Sequence, residues 1–352
     1  MVQNGSTLTE NSRIELNTEA VPRRLGLLTS GGDAPGMNAA IRAVVRTAYL
    51  RNIDVIGIRR GYNGLIHGDV FKMGPNDVNG IITKGGTILY TARSPEFETK
   101  QGIERAADTC NFHGLDALVV IGGDGSFRGA MELTNTLAEM GSSLSVVGIP
   151  GSIDNDIACT NYTIGFDTAA NTCISAIDKL QDTMQSHERC SVVEVMGHKT
   201  GHLAVYVGIA VGASVILAPE KPLDFERDVL ENLRNAKILG REHSIVIVAE
   251  GVGRTQELAE QIHKSLGLDT RVTILGHIQR GGSPSARDRV MASRMGEHAV
   301  ELLCAGRRNR LVVTHDGAII DIDIAEGSAM TKSLQPEMYR TARVLSLSAP
   351  TR

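Results

Sequence analysis

Tryptophan is absent from this sequence, and six phenylalanines and six tyrosines bring aromatic residues to only 3%. With so little ring surface, the interior has to be aliphatic, built from the Val, Ile, Leu, Ala and Met that supply most of a 42% hydrophobic fraction. Paired cysteines are missing too. Cys110, Cys159, Cys173, Cys190 and Cys304 are odd in number and form no C-x-x-C pair. They read as reduced, mostly buried thiols of a cytosolic protein rather than as a disulfide framework or a zinc site. No long basic run occurs among the 36 Lys and Arg, which are set against 40 Asp and Glu, so no nucleic-acid partner is expected. No apolar run is long enough to span a bilayer and no signal peptide is evident, so no membrane partner is expected and a cytoplasmic location is. The P-loop signature GK[ST] does not occur after any glycine-rich turn.

Glycine, by contrast, is plentiful. Its 38 residues cluster at the ends of apolar runs, where they let backbone pass close to a ligand. A chain of 352 residues exceeds what one compact core usually holds, which predicts two domains or one large α/β unit with a lobe. Residues 1–22 are polar and aperiodic, and are read as a mobile extension. From Arg24 onward, short apolar runs (RLGLLTS, DVIGI, ALVVIGG, LSVVGIPG, CSVVEVMG, HSIVIVAEG, RVTILGH) alternate with segments of helical period. One such segment, MNAAIRAVVRTAYLR, gathers Ile41, Val44, Val45 and Ala48 on one face. Alternation of this kind predicts crossovers and a parallel sheet, and continuous apolar runs predict strands buried on both faces. Ligands of such sheets bind at the carboxyl ends of the strands. Those ends carry Gly31-Gly32-Asp33, Gly122 to Gly125, Gly151-Ser152, Met196-Gly197, Glu250-Gly251 and His277 to Gly282.

Four motifs carry candidate chemistry. TSGGDAPGMN is a glycine turn feeding a helix, suited to an anion at the helix start or simply to a tight turn. In VVIGGDGSFRGA, Asp124 can hold Mg²⁺ while the amides of Gly123, Gly125 and Ser126 meet phosphate oxygens; it can also cap the helix expected from Arg128 onward. In PGSIDNDI, one carboxylate can take a proton from an attacking hydroxyl while a second raises its pKa, although Asx-rich turns share this composition. GHIQRGGSP sets His277 and Arg280 beside paired glycines, a fork and a donor for a phosphate ester. Arg189 and Arg271, just ahead of two strands, read singly as solvated charges.

Together and in this order, from about Arg24 to about Ala342, these segments resemble the 6-phosphofructokinase family. The matching stretches are TSGGDAPGMNAAIR, GGT-ILYTAR-SPEF, VVIGGDGS, PGSIDNDI, YTIGFDTA, SVVEVMG and GHIQRGGSP, with Arg189, Glu250 and Arg271. The resemblance implies an α/β fold of two similar three-layer domains with mostly parallel sheets and an active site in the cleft between them. The domains would be residues 23–165 plus 279–328, for nucleotide, and 166–278 plus 329–352, for sugar phosphate. It implies that ATP lies against Gly32, Arg93, Ser94 and Gly123 to Ser126, with Mg²⁺ on Asp124. Asp154 would be the base for the sugar 1-hydroxyl. Ser152, where the family usually has Thr, would assist the phosphoryl group, and Asp156 would support Asp154 and the metal network. Fructose 6-phosphate would meet Ser152, Ile153, Asp154, Met196, Gly197, His198 and Glu250, with His277, Ile278, Gln279 and Arg280 around its 6-phosphate. Arg189 and Arg271 would reach in from a neighbouring subunit of a homotetramer.

The donor and the regulation also follow from the resemblance. Pyrophosphate-using relatives tend to carry Asp where Gly125 stands and Lys where Gly151 stands, so ATP is the expected donor. The open alternatives are pyrophosphate, another sugar phosphate such as sedoheptulose 7-phosphate, or a catalytically weak regulatory subunit. Two departures stand out: His198 replaces a usual Arg, and Glu98 replaces an Arg often found against nucleotide. In the effector site of bacterial relatives, Arg42 and Arg46 are kept and Arg241 and His243 are plausible ligands. Pro75, Gln181, Ser214, Leu239 and Glu242 replace mostly charged residues there, so anionic effectors should bind weakly.

Overall fold

The computed structural model describes Asn17, residues 21–187 and residues 189–346. The expected extension over residues 1–22 lies almost wholly outside the described residues. In chain order the strands are β1 (Arg24–Thr29), β2 (Asp54–Ile58), β3 (Val70–Met73), β4 (Ala117–Gly122), β5 (Ser145–Ser152), β6 (Ile164–Gly165), β7 (Cys190–Val195), β8 (Val215–Leu217), β9 (Ser244–Ala249), β10 (Thr270–Ile274), β11 (Arg310–His315) and β12 (Ala318–Asp323). The helices are α1 (Met37–Leu50), α2 (Gly61–His67), α3 (Lys100–Phe112), α4 (Asp124–Glu139), α5 (Phe166–Gln185), α6 (His202–Ala210), α7 (Glu231–Ile238), α8 (Thr255–Leu266), α9 (Ala286–Cys304), α10 (Ile324–Ala329) and α11 (Pro336–Leu345).

The strands form two sheets, as the α/β reading expects. The larger runs β12-β11-β5-β4-β1-β2-β3, with β6 paired to β5, and is parallel except for the antiparallel edge strands β3 and β12. The smaller runs β10-β7-β9-β8 and is parallel throughout. All six residues of β4 and all six of β9 are buried, which is why both read as unbroken apolar runs. Helix α1 buries the predicted Ile41-Val44-Val45-Ala48 stripe and lies against α9. The approach is close enough that a Cβ on Gly296 would stand 2.7 Å from the Ala40 carbonyl oxygen, so only glycine permits it.

The order β5-β4-β1-β2 puts the topological switch between β1 and β4. The glycine turns that follow these two strands therefore open side by side. Helix α4 begins at Asp124 rather than at the expected Arg128. Gly123 is extended (φ −98°, ψ −173°) and its carbonyl accepts from the amides of Ser126 and Phe127, so the DGS triplet is the first helical turn. Asp124 is thus no side-chain cap. Arg271 falls inside β10, not ahead of it.

A buried carboxylate fastens the loop after β5. Asp288 of α9 accepts from Tyr162 Oη, Gly165 N (2.7 Å), Thr168 N (2.8 Å) and Thr168 Oγ1 (2.5 Å). This ties the segment between the two sheets to a helix of the larger one. Among the described residues no helix is long and apolar enough to cross a membrane.

Candidate functional site

A cleft of about 560 Å³ opens at the carboxyl ends of β1, β4 and β5. The turn after β1 brings Gly31 and Gly32, the turn after β4 brings Gly123, Gly125 and Ser126, and the end of β5 brings Gly151, Ser152 and Asp154. Arg93 and Ser94 enter from the segment before α3, and Arg280 from the turn after β10. A Cβ on Gly123 would meet nothing within 4 Å, and one on Gly125 only Arg128 Nη2 at 3.9 Å. These glycines are therefore not needed for packing; the space a side chain would take belongs to the cleft. They lie at the start of α4, where the Ser126 amide is already given to Gly123 O and the amides ahead of it are the ones that favour an anion. Ser94 Oγ is buried beside them without a hydrogen-bond partner. The arrangement fits a phosphate-bearing ligand against backbone.

Asp154 is the most perturbed acid of the cleft. Burial, then the Asp156 carboxylate, pushes its carboxyl up to about 6; Arg280 and His198 oppose the rise and Glu250 adds to it. One of its oxygens, Oδ1, is buried with no partner. Its backbone amide donates to Ser152 Oγ at 3.2 Å, so the Ser152 hydroxyl shapes the turn that aims it. Asp124 is also raised, by burial and by Asp156, against the pull of Arg128 and Lys332. Asp156 thus bears on both acids. Among the described residues no group of three or more His, Cys, Asp or Glu forms a metal cage. Asp124 and Asp156, which influence each other, offer the one or two carboxylates through which a magnesium-like ion binds, its other positions being filled by water and substrate phosphate.

Met196, Gly197, His198 and Glu250, at the ends of β7 and β9 in the smaller sheet, do not line this cavity, but His198 and Glu250 act electrostatically on Asp154. The backbone reverses after β7, with Gly197 at φ 144° and His198 at φ 53°. A Cβ on Gly197 would stand 2.6 Å from the Thr200 carbonyl oxygen. The His198 amide donates to Glu250 Oε1 at 2.5 Å, joining the ends of β7 and β9. Gln279 is fully buried: its Oε1 accepts from Met196 N (3.0 Å) and Cys173 Sγ (3.0 Å), and its Nε2 donates to Gly276 O (2.9 Å). Its side chain is spent on holding Met196. Ile153 is likewise enclosed in the core, leaving only its backbone near the cleft. Arg280 Nη1 donates to Asp33 O at 3.1 Å and packs against Gly32, so this guanidinium belongs as much to the glycine-turn side as to the sugar side.

Several expected residues stand apart from the cleft. His277 and Ile278 are exposed beyond it. Arg189 and Arg271 both pair with Asp269, through Nε–Oδ2 at 2.6 Å and Nη2–Oδ1 at 3.2 Å, at the β10 edge of the smaller sheet. Cleft residues that escaped the sequence reading include Glu132 and two rings. Tyr62 and Phe97 stack with centroids 4.0 Å apart and line the cavity, and Tyr62 Oη donates to Ser126 O at 2.5 Å. The two rings lie about 35 positions apart in the chain, and only the fold brings them together. A second cavity of about 410 Å³ is lined by Gln181, Ser214, Arg241, Glu242 and His243, residues singled out from three separate places in the sequence. Leu239, Arg42, Arg46 and Pro75 do not line it.

Comparison with known proteins places these features. A family profile described as Phosphofructokinase matches residues 24–303. A protein named ATP-dependent 6-phosphofructokinase from Clostridium botulinum (strain Hall) is 53% identical over 324 residues, covering 92% of this chain and 99% of that protein. One of the same name from Brevibacillus brevis is 50% identical over 325 residues, covering 92% of this chain and 100% of that protein. Among solved structures, phosphofructokinase from Saccharomyces cerevisiae aligns with a TM-score of 0.82 at 36% identity, over 93% of this chain. This chain spans about half (48%) of that yeast chain.

Proposed function

This chain belongs to the phosphofructokinase family, and from that premise we propose that it is an ATP-dependent 6-phosphofructokinase of glycolysis, converting fructose 6-phosphate and ATP to fructose 1,6-bisphosphate and ADP. The observation that carries the reading is Asp154: a carboxylate with one buried, partnerless oxygen, raised to about 6, at the mouth of a cleft lined by open glycines. A general base works best with a pKa near the operating pH and with an oxygen free to accept.

In this reading Asp154 accepts the proton of the sugar 1-hydroxyl. The O1 to γ-phosphorus bond forms as the bond from γ-phosphorus to the ADP oxygen breaks. Ser152 orients Asp154 and assists the transferring group. Gly32, Arg93, Ser94, Gly123, Gly125 and Ser126 hold the nucleotide. Met196, Gly197, His198 and Glu250 hold the sugar, while His277, Arg280 and the backbone around Ile278 and Gln279 serve the 6-phosphate. Asp124, supported by Asp156, holds Mg²⁺, which supplies charge neutralisation for the phosphates when bound. Phosphoryl transfer depends mostly on such positioning and neutralisation. ATP as donor is supported by the names of the relatives and by Gly125, where an Asp side chain would project into the cleft against phosphate. At Gly151 a Cβ would already press on Met37 Cε at 3.0 Å.

The reading extends to assembly and location. The two lobes are residues 23–165 plus 279–328 and residues 166–278 plus 329–352. The protein acts in the cytoplasm as a homotetramer in which Arg189 and Arg271 serve a neighbouring site. Support comes from their place on an exposed sheet edge beside Ile274 (62% exposed) and Ile278 (57% exposed), apolar surface that a second copy would cover.

A donor comparison tests the whole. Purified protein with fructose 6-phosphate and Mg²⁺ is given ATP or pyrophosphate, and fructose 1,6-bisphosphate is followed in a coupled assay. Turnover with ATP alone is expected. Turnover with pyrophosphate alone would overturn the donor argument from Gly125, and none with either would overturn the kinase reading for this sugar.

A further inference from the structure

We propose that Lys332 is a positioning residue for phosphoryl transfer: from the segment between α10 and α11 it pins the side chain of Asn155 and so fixes the directions in which Asp154 and Asp156 leave the backbone. Lys332 Nζ donates to Asn155 Oδ1 at 3.1 Å and to Thr160 O at 2.9 Å. Asn155 is left-handed (φ 50°), the kink that separates the two acids. Its other amide atom, Nδ2, donates to Asn161 O at 3.4 Å. Thr163 Oγ1 stands 3.5 Å from Asn155 Oδ1 and donates to Ser152 O at 2.6 Å. The loop from Ser152 to Thr163 therefore closes through Asn155, and Lys332 is its charged anchor, 177 residues away in sequence.

The charge has a purpose as well as the reach. Asp156 acts on both Asp124 and Asp154, and like charges this close splay a loop unless a cation opposes them. Burial lowers the Lys332 ammonium to about 8, with Asp156, Cys159 and Asp124 resisting the fall, so it remains charged at neutral pH. His202 of α6 faces the same group, with Nε2 buried and unpartnered; burial and Lys332 together lower its pKa. A buried lysine is costly, and this one spends its charge on the loop that carries the base.

The inference rests on the kinase reading, and steady-state kinetics separates the two. Wild-type protein that fails to convert fructose 6-phosphate with ATP overturns both. With wild-type turnover in hand, Lys332→Met and Asn155→Gly are each expected to lower kcat by about 10- to 100-fold, the cost of a misplaced reacting group. KM for either substrate should stay within about threefold, since ground-state contacts are untouched. Because both act through one contact, the double variant should be no slower than the slower single. Losses that multiply, a wild-type kcat in either variant, or a rise in KM at unchanged kcat would overturn the proposal. Should Lys332→Met fail to fold, Asn155→Gly decides alone. Glycine keeps the left-handed backbone accessible, so only the pinned side chain is lost.

Discussion

Lowering the pH probes Asp154 without changing a residue. Burial and Asp156 raise its carboxyl from 3.8 to about 6, which makes ionisation in the folded chain about 3 kcal/mol harder than in water. A general base works only when ionised. With ATP and Mg²⁺ saturating, kcat/KM for fructose 6-phosphate should reach its plateau above pH ~7, halve near pH ~6 and fall to about a tenth at pH ~5. An unperturbed carboxylate would hold the rate level to below pH ~5. Stability should run the other way. The folded state binds this proton more tightly than the unfolded chain, so the favourable contribution is complete below pH ~4 and lost as pH rises through about 6. Asp154→Asn keeps the shape without the charge. It should raise stability at pH ~7 by up to about 3 kcal/mol in urea unfolding, give no gain at pH ~4, and lower kcat by about 10²- to 10⁴-fold. A rate that stays flat down to pH ~5, or an Asn variant no more stable than wild type at neutral pH, would refute the assignment of a buried, charge-crowded base.

Four further outcomes follow from other features. His198→Arg puts a fixed positive charge beside Asp154, so the acid limb of the rate profile should move to lower pH, and an unchanged profile would count against a His198 role. Gly125→Asp fills cleft space and opposes phosphate, so KM for ATP should rise at least about tenfold while KM for fructose 6-phosphate holds; a variant with wild-type ATP kinetics would remove the steric argument. Asp288→Ala strands the donors of Tyr162, Gly165 and Thr168, so stability should fall by about 3 kcal/mol or more in urea unfolding, with Asp288→Asn between. The cavity lined by Gln181, Ser214, Arg241, Glu242 and His243 carries little net positive charge, and phosphoenolpyruvate at millimolar concentration should scarcely inhibit; a strong inhibition curve would refute this.

Much of the molecule was legible because its signals are local. An apolar run ending in glycine and followed by a 3.6-residue period describes a strand, a turn and a helix whatever surrounds it. The turns after β1, β4 and β5 are therefore readable as strand ends before any strand order is known, whereas the choice of Asp154 among the carboxylates of PGSIDNDI came only from the family resemblance. One boundary slipped for a local reason as well. Gly123 is extended and offers its carbonyl to the next turn, so α4 starts at the acid itself, although Asp-Gly-Ser has the composition of a loop.

What the sequence determined by itself, then, is the strand-helix rhythm, the aliphatic core and the residues that end each strand, because these depend on side chains within a few positions of one another. Tertiary structure alone decided which ends meet. It set Arg280 against Gly32, spent Gln279 on the backbone of Met196, gathered Arg189 and Arg271 on Asp269, and brought Lys332 to Asn155. Each of these contacts joins residues whose neighbourhood is created by strand order and helix packing. A charge gains or loses its purpose only when burial removes water from around it and a partner arrives from elsewhere in the chain.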